Sequence, residues 1–168
     1  MPAMLPIVVL TDAERRIARW TGRMRNDACI KAGVKDLKFA ADGEQIHIDG
    51  FGAELAFCKL INVYPDFNIQ PRQGGPDCVW LNHTVDVKTT RYPKGKLIAC
   101  LRKLDLAADC YALMLMVDDG QYRYVGIARG ADLLRPERVT DLGYGDTYGI
   151  PQDEVTETRI RLTVFDGQ

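Results

Sequence analysis

Between Gly50 and Asn62 apolar side chains run almost all the way round a helix, and this stretch limits the architecture more than any other. Phe51, Leu55, Cys58 and Ile61 fall on one face, and Ala53, Phe57 and Leu60 cover much of the rest. A helix apolar on every side is a buried helix. Tyr64-Pro65-Asp66 ends it, because proline cannot continue a helix and biases the residue before it towards extended backbone. Tyr111 to Val117 is the matching signal in strand form, a continuous apolar run of the kind that fills the middle of a sheet. Asp118-Asp119-Gly120 then turns the chain into a further strand from Tyr122 to Ala128. With 168 residues and a 46% hydrophobic composition, the chain has enough apolar material for the core of one globular domain spanning residues 1–168.

The other elements follow from local signals. Thr11-Asp12-Ala13-Glu14 is a capping box that predicts a helix running to about Gly33. Gln45 to Ile48 alternates like a strand or leads into the next helix, which makes His47 a surface strand residue on the first reading. A turn-rich segment to Gly75 precedes two apolar runs, Cys78-Val79-Trp80-Leu81 and Val85-Asp86-Val87-Lys88-Thr89, with Asn82-His83-Thr84 between them as a hairpin turn. Lys96 to Cys100 reads as a third strand and Leu101 to Ala108 as a short helix. A short helix follows Arg129, and a last strand runs from Thr158 to Phe165. The glycines between Gly143 and Gly149 read as a loop. They are not followed by Lys-Ser/Thr, so this is no phosphate-binding P-loop, and the tyrosines there serve to pack the loop against the body.

Charge and cysteine content exclude several classes. The formal net charge of −1 argues against a protein that coats nucleic acid by bulk charge. A local basic surface is compatible with it, since Val87 to Lys103 carries Lys88, Arg91, Lys94, Lys96, Arg102 and Lys103 and no acidic residue. The cysteines, Cys29, Cys58, Cys78, Cys100 and Cys110, are odd in number and contain no Cys-x-x-Cys pair, so neither a disulfide framework nor a zinc site of ordinary spacing is expected. Most of them sit in apolar runs and read as small buried hydrophobes in a reducing cytosol. The short apolar start, Met1 to Leu10, lacks a basic flank, and no window approaches a membrane span. The expectation is a soluble, cytoplasmic protein with no membrane partner.

Chemistry concentrates around the two apolar runs. In a strand, side chains alternate between faces, so Asp86 and Lys88 share one face and Val85 and Val87 the other. A hairpin through Asn82-His83 folds Asp77 back towards Asp86 and brings both carboxylates to one end of the sheet. Two convergent carboxylates beside a lysine suit a hard divalent cation and phosphate chemistry. Glu54 supplies a third carboxylate on the apolar helix, where an ionised group is costly unless it is paired or binds a metal. Each residue also has a plainer reading. Glu54 pairs with a core Lys or Arg or shares an exposed strip with Lys59, Asp77 is turn chemistry after Gly75-Pro76, and Asp86 with Lys88 is a surface ion pair. Tyr92 stacks on a base or closes a core edge, and the core is the preferred reading.

Glu54 on a helix, Pro76-Asp77 opening one strand and Asp86-Val87-Lys88 on the next resemble the PD-(D/E)xK nuclease superfamily. Over Gly50 to Val117 the order of elements is also similar to that superfamily's core, and Gly52-Ala53-Glu54-Leu55-Ala56 with Asp86-Val87-Lys88-Thr89-Thr90-Arg91-Tyr92 resembles small phage- and prophage-encoded members. The resemblance implies an α/β fold of restriction-endonuclease type: a central mixed sheet flanked by helices in α-β-β-β-α-β order, the core at about 50–128, with an extra N-terminal helix and C-terminal strand. It implies a Mg2+-dependent nuclease acting on DNA, in a phage or its bacterial host cell, with Mn2+ able to substitute. Asp77, Asp86 and the backbone carbonyl of Val87 would hold the metal, with Glu54 joining directly or through water, and Lys88 would orient or deprotonate the attacking water. Arg91, Lys94, Lys96, Arg102 and Lys103 would contact backbone phosphates. Cleavage of both strands by a chain with one site would favour a homodimer. The alternative function is a catalytically silent nucleic-acid-binding or interaction module on the same fold. A glycosidase with paired carboxylates is disfavoured by the lysine two residues after Asp86.

Overall fold

The computed structural model describes residues 6–34, 42–71, 75–101 and 107–157. Its first long helix, α1 (Asp12–Lys31), starts at the capping box: the Thr11 side chain accepts from the Glu14 N–H, and the Glu14 carboxylate accepts from the Thr11 N–H. The second, α2 (Gly43–Ile61), starts seven residues before the sequence signal, because Asp42 caps it by accepting from the Gln45 N–H at 3.0 Å. Gln45 to Ile48 is therefore helical, and His47 is a helix residue, not a strand residue. The two helices cross where Gly22 meets Ile48. A Cβ built on Gly22 would lie 2.6 Å from the Ile48 Cα, so only glycine allows this approach.

Helix α2 is buried along Phe51, Gly52, Ala53, Leu55, Ala56, Phe57 and Cys58, as its all-round apolar sequence requires. It lies between α1 and a five-stranded mixed sheet. The strands are β1 (Ile7–Val9), β2 (Cys78–Trp80), β3 (His83–Thr90), β5 (Cys110–Asp118) and β6 (Gln121–Arg129), in the order β1-β6-β5-β3-β2. β2 and β3 form a hairpin in which Trp80 pairs with His83, so the turn is Leu81-Asn82 and His83 belongs to the strand. Both turn residues have positive φ, 50° and 63°, the backbone twist that suits a two-residue hairpin. β5 runs parallel to β3, with Val85 opposite Cys110 and Thr90 opposite Leu115, while β6 returns antiparallel. The continuous apolar run thus fills the centre of the sheet, covered on both faces.

Each face carries its own core. Val85, Val87, Cys110, Ala112 and Met114 pack with Phe51, Ala53 and Phe57 on the helical side. Tyr111, Leu113 and Leu115 face the other side, against β4 (Leu97–Cys100), β8 (Asp146–Ile150), α3 (Gly130–Leu133) and α4 (Gln152–Glu157). The expected third strand is present but belongs elsewhere: β4 pairs with β8 and, through it, with β7 (Val139–Asp141) in a separate three-stranded sheet. This departs from a run of three sheet-mates after α2. It follows from β5 taking the place beside β3. Residues 146–149, read as loop, belong to β8, since Tyr148 and Ile150 are buried against β4. The expected helix from Leu101 to Ala108 falls largely on 102–106, and the expected strand from Thr158 to Phe165 falls wholly outside the described residues. The fold is α/β with a mixed sheet, and no helix among the described residues is long and apolar enough to cross a membrane.

Candidate functional site

The hairpin register brings two of the proposed acids together. Cys78 pairs with Val85, so Asp77, one residue earlier, lies across from Asp86 on the same face of the sheet. Asp77 has left the ladder: its N–H still donates to the Val85 carbonyl at 2.8 Å, but its carboxylate accepts from the Val87 N–H at 2.6 Å. β2 thereby stops short, and the Asp77 side chain takes the hydrogen bond that a further strand residue would have made. The N–H and C=O of one strand residue point to the same side, so the Val87 carbonyl lies along this edge too.

Lys88 stands two residues from Asp86 on the same face, and its ammonium lies 2.6 Å from Oδ1 and 2.8 Å from Oδ2 of that carboxylate. Both side chains are mostly buried, with exposures of 16% for Asp86 and 26% for Lys88. Asp77 is under opposing influences. Burial, then the negative charges of Glu54 and Asp86, push its carboxyl well above the usual carboxylate range, against the lowering effects of the Val87 N–H and the Lys88 ammonium. Glu54 acts from the helical side of the sheet and Asp86 from the other, and Asp77, just beyond the end of β2, feels both.

Glu54 has a strong partner of its own. Arg25, on the inward stripe of α1 with Ala18, Thr21, Gly22 and Cys29, donates from Nη1 to Glu54 Oε2 at 2.7 Å. Its Nη2 donates to the Asp66 carbonyl at 2.8 Å, its Nε to the Asn68 carbonyl at 3.2 Å, and the guanidinium sits 4.8 Å from the centroid of Phe51. Pairing with a core arginine is the plainer reading of Glu54, and the geometry realises it. Lys59 takes no part, since it bonds Glu14 and the Val9 carbonyl. Sequence reasoning counted Arg25 only as one basic residue among several. The available signal was its helical spacing from Thr21, Gly22 and Cys29, small residues that mark the buried face.

Among the described residues no three His, Cys, Asp or Glu side chains come close enough together to hold a metal ion. Glu54 is held by Arg25 on the helical side of the sheet, whereas Asp86 faces the other side beside Lys88. What remains along the β3 edge is an all-oxygen donor set of two carboxylates and a backbone carbonyl. Such a set fits Mg2+, which is held by one or two carboxylates and keeps several waters. Beside it, the Cys58 thiol of α2 and the Cys78 thiol of β2 share a hydrogen bond that pushes Cys58 up and Cys78 down.

The proposed phosphate contacts divide. Arg91, just past β3, donates from Nε to Asp49 at 2.5 Å, and Asp49 is buried and also accepts from Gln45. Arg91 thus ties the end of β3 to α2, yet its side chain is 56% exposed and its terminal nitrogens make no bond among the described residues. It lines an open cavity of about 580 Å3 with Arg19, Arg23, Glu44 and Asp119, beyond the C-terminal end of β3. Lys94 is exposed and Lys96 half-buried, while Arg102 and Lys103 lie outside the described residues. Tyr92 does not close a core edge: it is 76% exposed, because the chain leaves the sheet at Arg91. The loop tyrosines also divide, Tyr148 buried and Tyr144 exposed. Comparison of the chain with protein-family models, curated proteins and solved structures gave no match.

Proposed function

We propose that the chain is a Mg2+-dependent nuclease hydrolysing phosphodiester bonds in DNA, with a core of the restriction-endonuclease type. The observation that carries this reading is the placement of Asp77 opposite Asp86, with Lys88 held on Asp86, at the strand edge where β2 ends. Asp77, Asp86 and the Val87 carbonyl are the residues to hold the cation, and Glu54 would join that shell directly or through water. Bound there, Mg2+, or Mn2+ in its place, supplies a Lewis acid for the phosphate and a water of lowered pKa. Asp86 positions the Lys88 ammonium, whose roles are to orient the attacking water and offset charge developing on the phosphorane oxygens. The Val87 N–H fixes the rotamer of Asp77. Arg91, Lys94 and Lys96 follow Lys88 directly and offer cations to the nucleic-acid backbone.

A second reading has its own support. Glu54 and Asp86 are each satisfied by a cation of the chain itself, which is how a catalytically silent nucleic-acid-binding module on this fold would keep its acids. The two readings separate on incubation with plasmid, linear and branched DNA in Mg2+ or Mn2+, followed by chelator. The nuclease reading expects cleavage that chelator abolishes and that Lys88→Ala and Asp86→Asn each reduce by at least ~100-fold. Cleavage that persists unchanged in Lys88→Ala rejects it. DNA retention without cleavage of any substrate leaves the binding module.

A further inference from the structure

The outer face of α1 is built for contact. Ile17, Trp20 and Met24 recur at helical spacing and are 42%, 59% and 38% exposed, while the inward face of the same helix is buried against α2. A tryptophan in the middle of an exposed apolar stripe is unusual on a surface that meets only water, and such residues dominate the binding energy of interfaces. The charges on this face add direction. Arg19 is paired with Asp119 and Arg23 with Glu44, so both are neutralised within the chain. Arg16 and Asp27 make no ion pair among the described residues, although Arg16 adds to the field at Asp12. They are eleven residues apart, about three turns, and so lie within about 20° of each other around the axis, one on each side of Trp20.

We propose that this face is the interface of a homodimer in which α1 packs antiparallel against α1 of a second copy. A two-fold axis at the level between Thr21 and Gly22 sets Arg16 and Asp27 each about 8 Å from the midpoint. Arg16 of each copy then stands level with Asp27 of the other, and the two Trp20 residues meet beside the two-fold axis, about 4.5 Å apart along the helices. A parallel pairing would instead set Arg16 against Arg16 and Asp27 against Asp27. The occupant is thus another copy of this chain, because the face carries one charge of each sign outside the chain's own ion pairs, placed symmetrically about the two-fold. The inference stands apart from the nuclease reading, since α1 presents this face away from α2 and the sheet.

Sedimentation velocity of the full chain over a concentration series, with far-UV circular dichroism as a control on folding, tests it. The expected result is a reversible dimer that Trp20→Asp converts to monomer without loss of helicity. Arg16→Asp and Asp27→Arg alone should each weaken association roughly tenfold, and the two together should restore it. The charge pair gives the test a second arm, because rescue by the double reversal requires the antiparallel register. A wild-type chain that is monomeric at every concentration, a dimer indifferent to Trp20→Asp, or a double reversal no better than the singles would each overturn the proposal.

Discussion

Asp77 holds its proton more tightly folded than unfolded, and the sign of its effect on stability follows. Its folded pKa is raised by burial and by Glu54 and Asp86, so above the ordinary carboxylate pKa the unfolded chain releases a proton that the folded chain retains. Stability contributed through Asp77 is therefore present at low pH and lost as pH rises through the folded pKa, and each tenfold difference in proton affinity between the two states is worth about 1.4 kcal/mol. Asp77→Asn keeps an oxygen for the Val87 N–H and removes the titration, so in the absence of divalent cations its melting temperature should fall less than wild type's as pH rises past the usual carboxylate range. A parallel pH dependence would show that Asp77 is not so perturbed. Mg2+ binding should release a proton and tighten with pH in the wild type, and be lost in Asp77→Asn, as titration calorimetry in two buffers would reveal. Arg25→Ala removes the arginine partner of Glu54 beside Phe51 and should cost on the order of 3 kcal/mol in denaturant unfolding. Adding Glu54→Gln should recover part of that loss, whereas strictly additive losses would mean the pair is not coupled.

Among the elements, α2 organises the rest, since α1 covers one side of it and the five-stranded sheet the other. The α1–α2 crossing depends on Gly22. A methyl group there meets Ile48 backbone atoms, which cannot rotate away, so Gly22→Ala should cost about 1–3 kcal/mol with the sheet left intact. An unchanged urea midpoint would show that the helices can separate freely. Hairpin β2-β3 holds the candidate site in a different way: its two-residue turn fixes the register, and a slip of one residue would move Asp86 and Lys88 into the helical core. The structure therefore ties the chemistry to the turn Leu81-Asn82, which lies well away from the carboxylates.

For the molecule as a whole, the basic run after β3 bears on how nucleic acid would dock. If Arg91, Lys94 and Lys96 contact phosphates, neutralising each should weaken DNA binding evenly across sequences and lower the salt slope by about one, measured by fluorescence anisotropy at several salt concentrations. An Arg91→Ala variant that loses stability but keeps its salt slope would mark that arginine as only a tether of Asp49. Much of this organisation was legible in the residues. The capping box started α1 where it should, the all-round apolar stretch was buried in α2, the apolar run became central β5, and alternation set Asp86 beside Lys88. Each of these depends on neighbours in sequence, through helical or strand periodicity. What the sequence left open depends on distant partners: Arg25 with Glu54, 29 residues apart, Arg91 with Asp49, 42 apart, and the choice of β5 over β4 as the neighbour of β3. Periodicity tells a side chain which face it is on but not what it will meet there. Which arginine meets Glu54 and Asp49, and which strand closes the sheet, were decided only when the two cores packed.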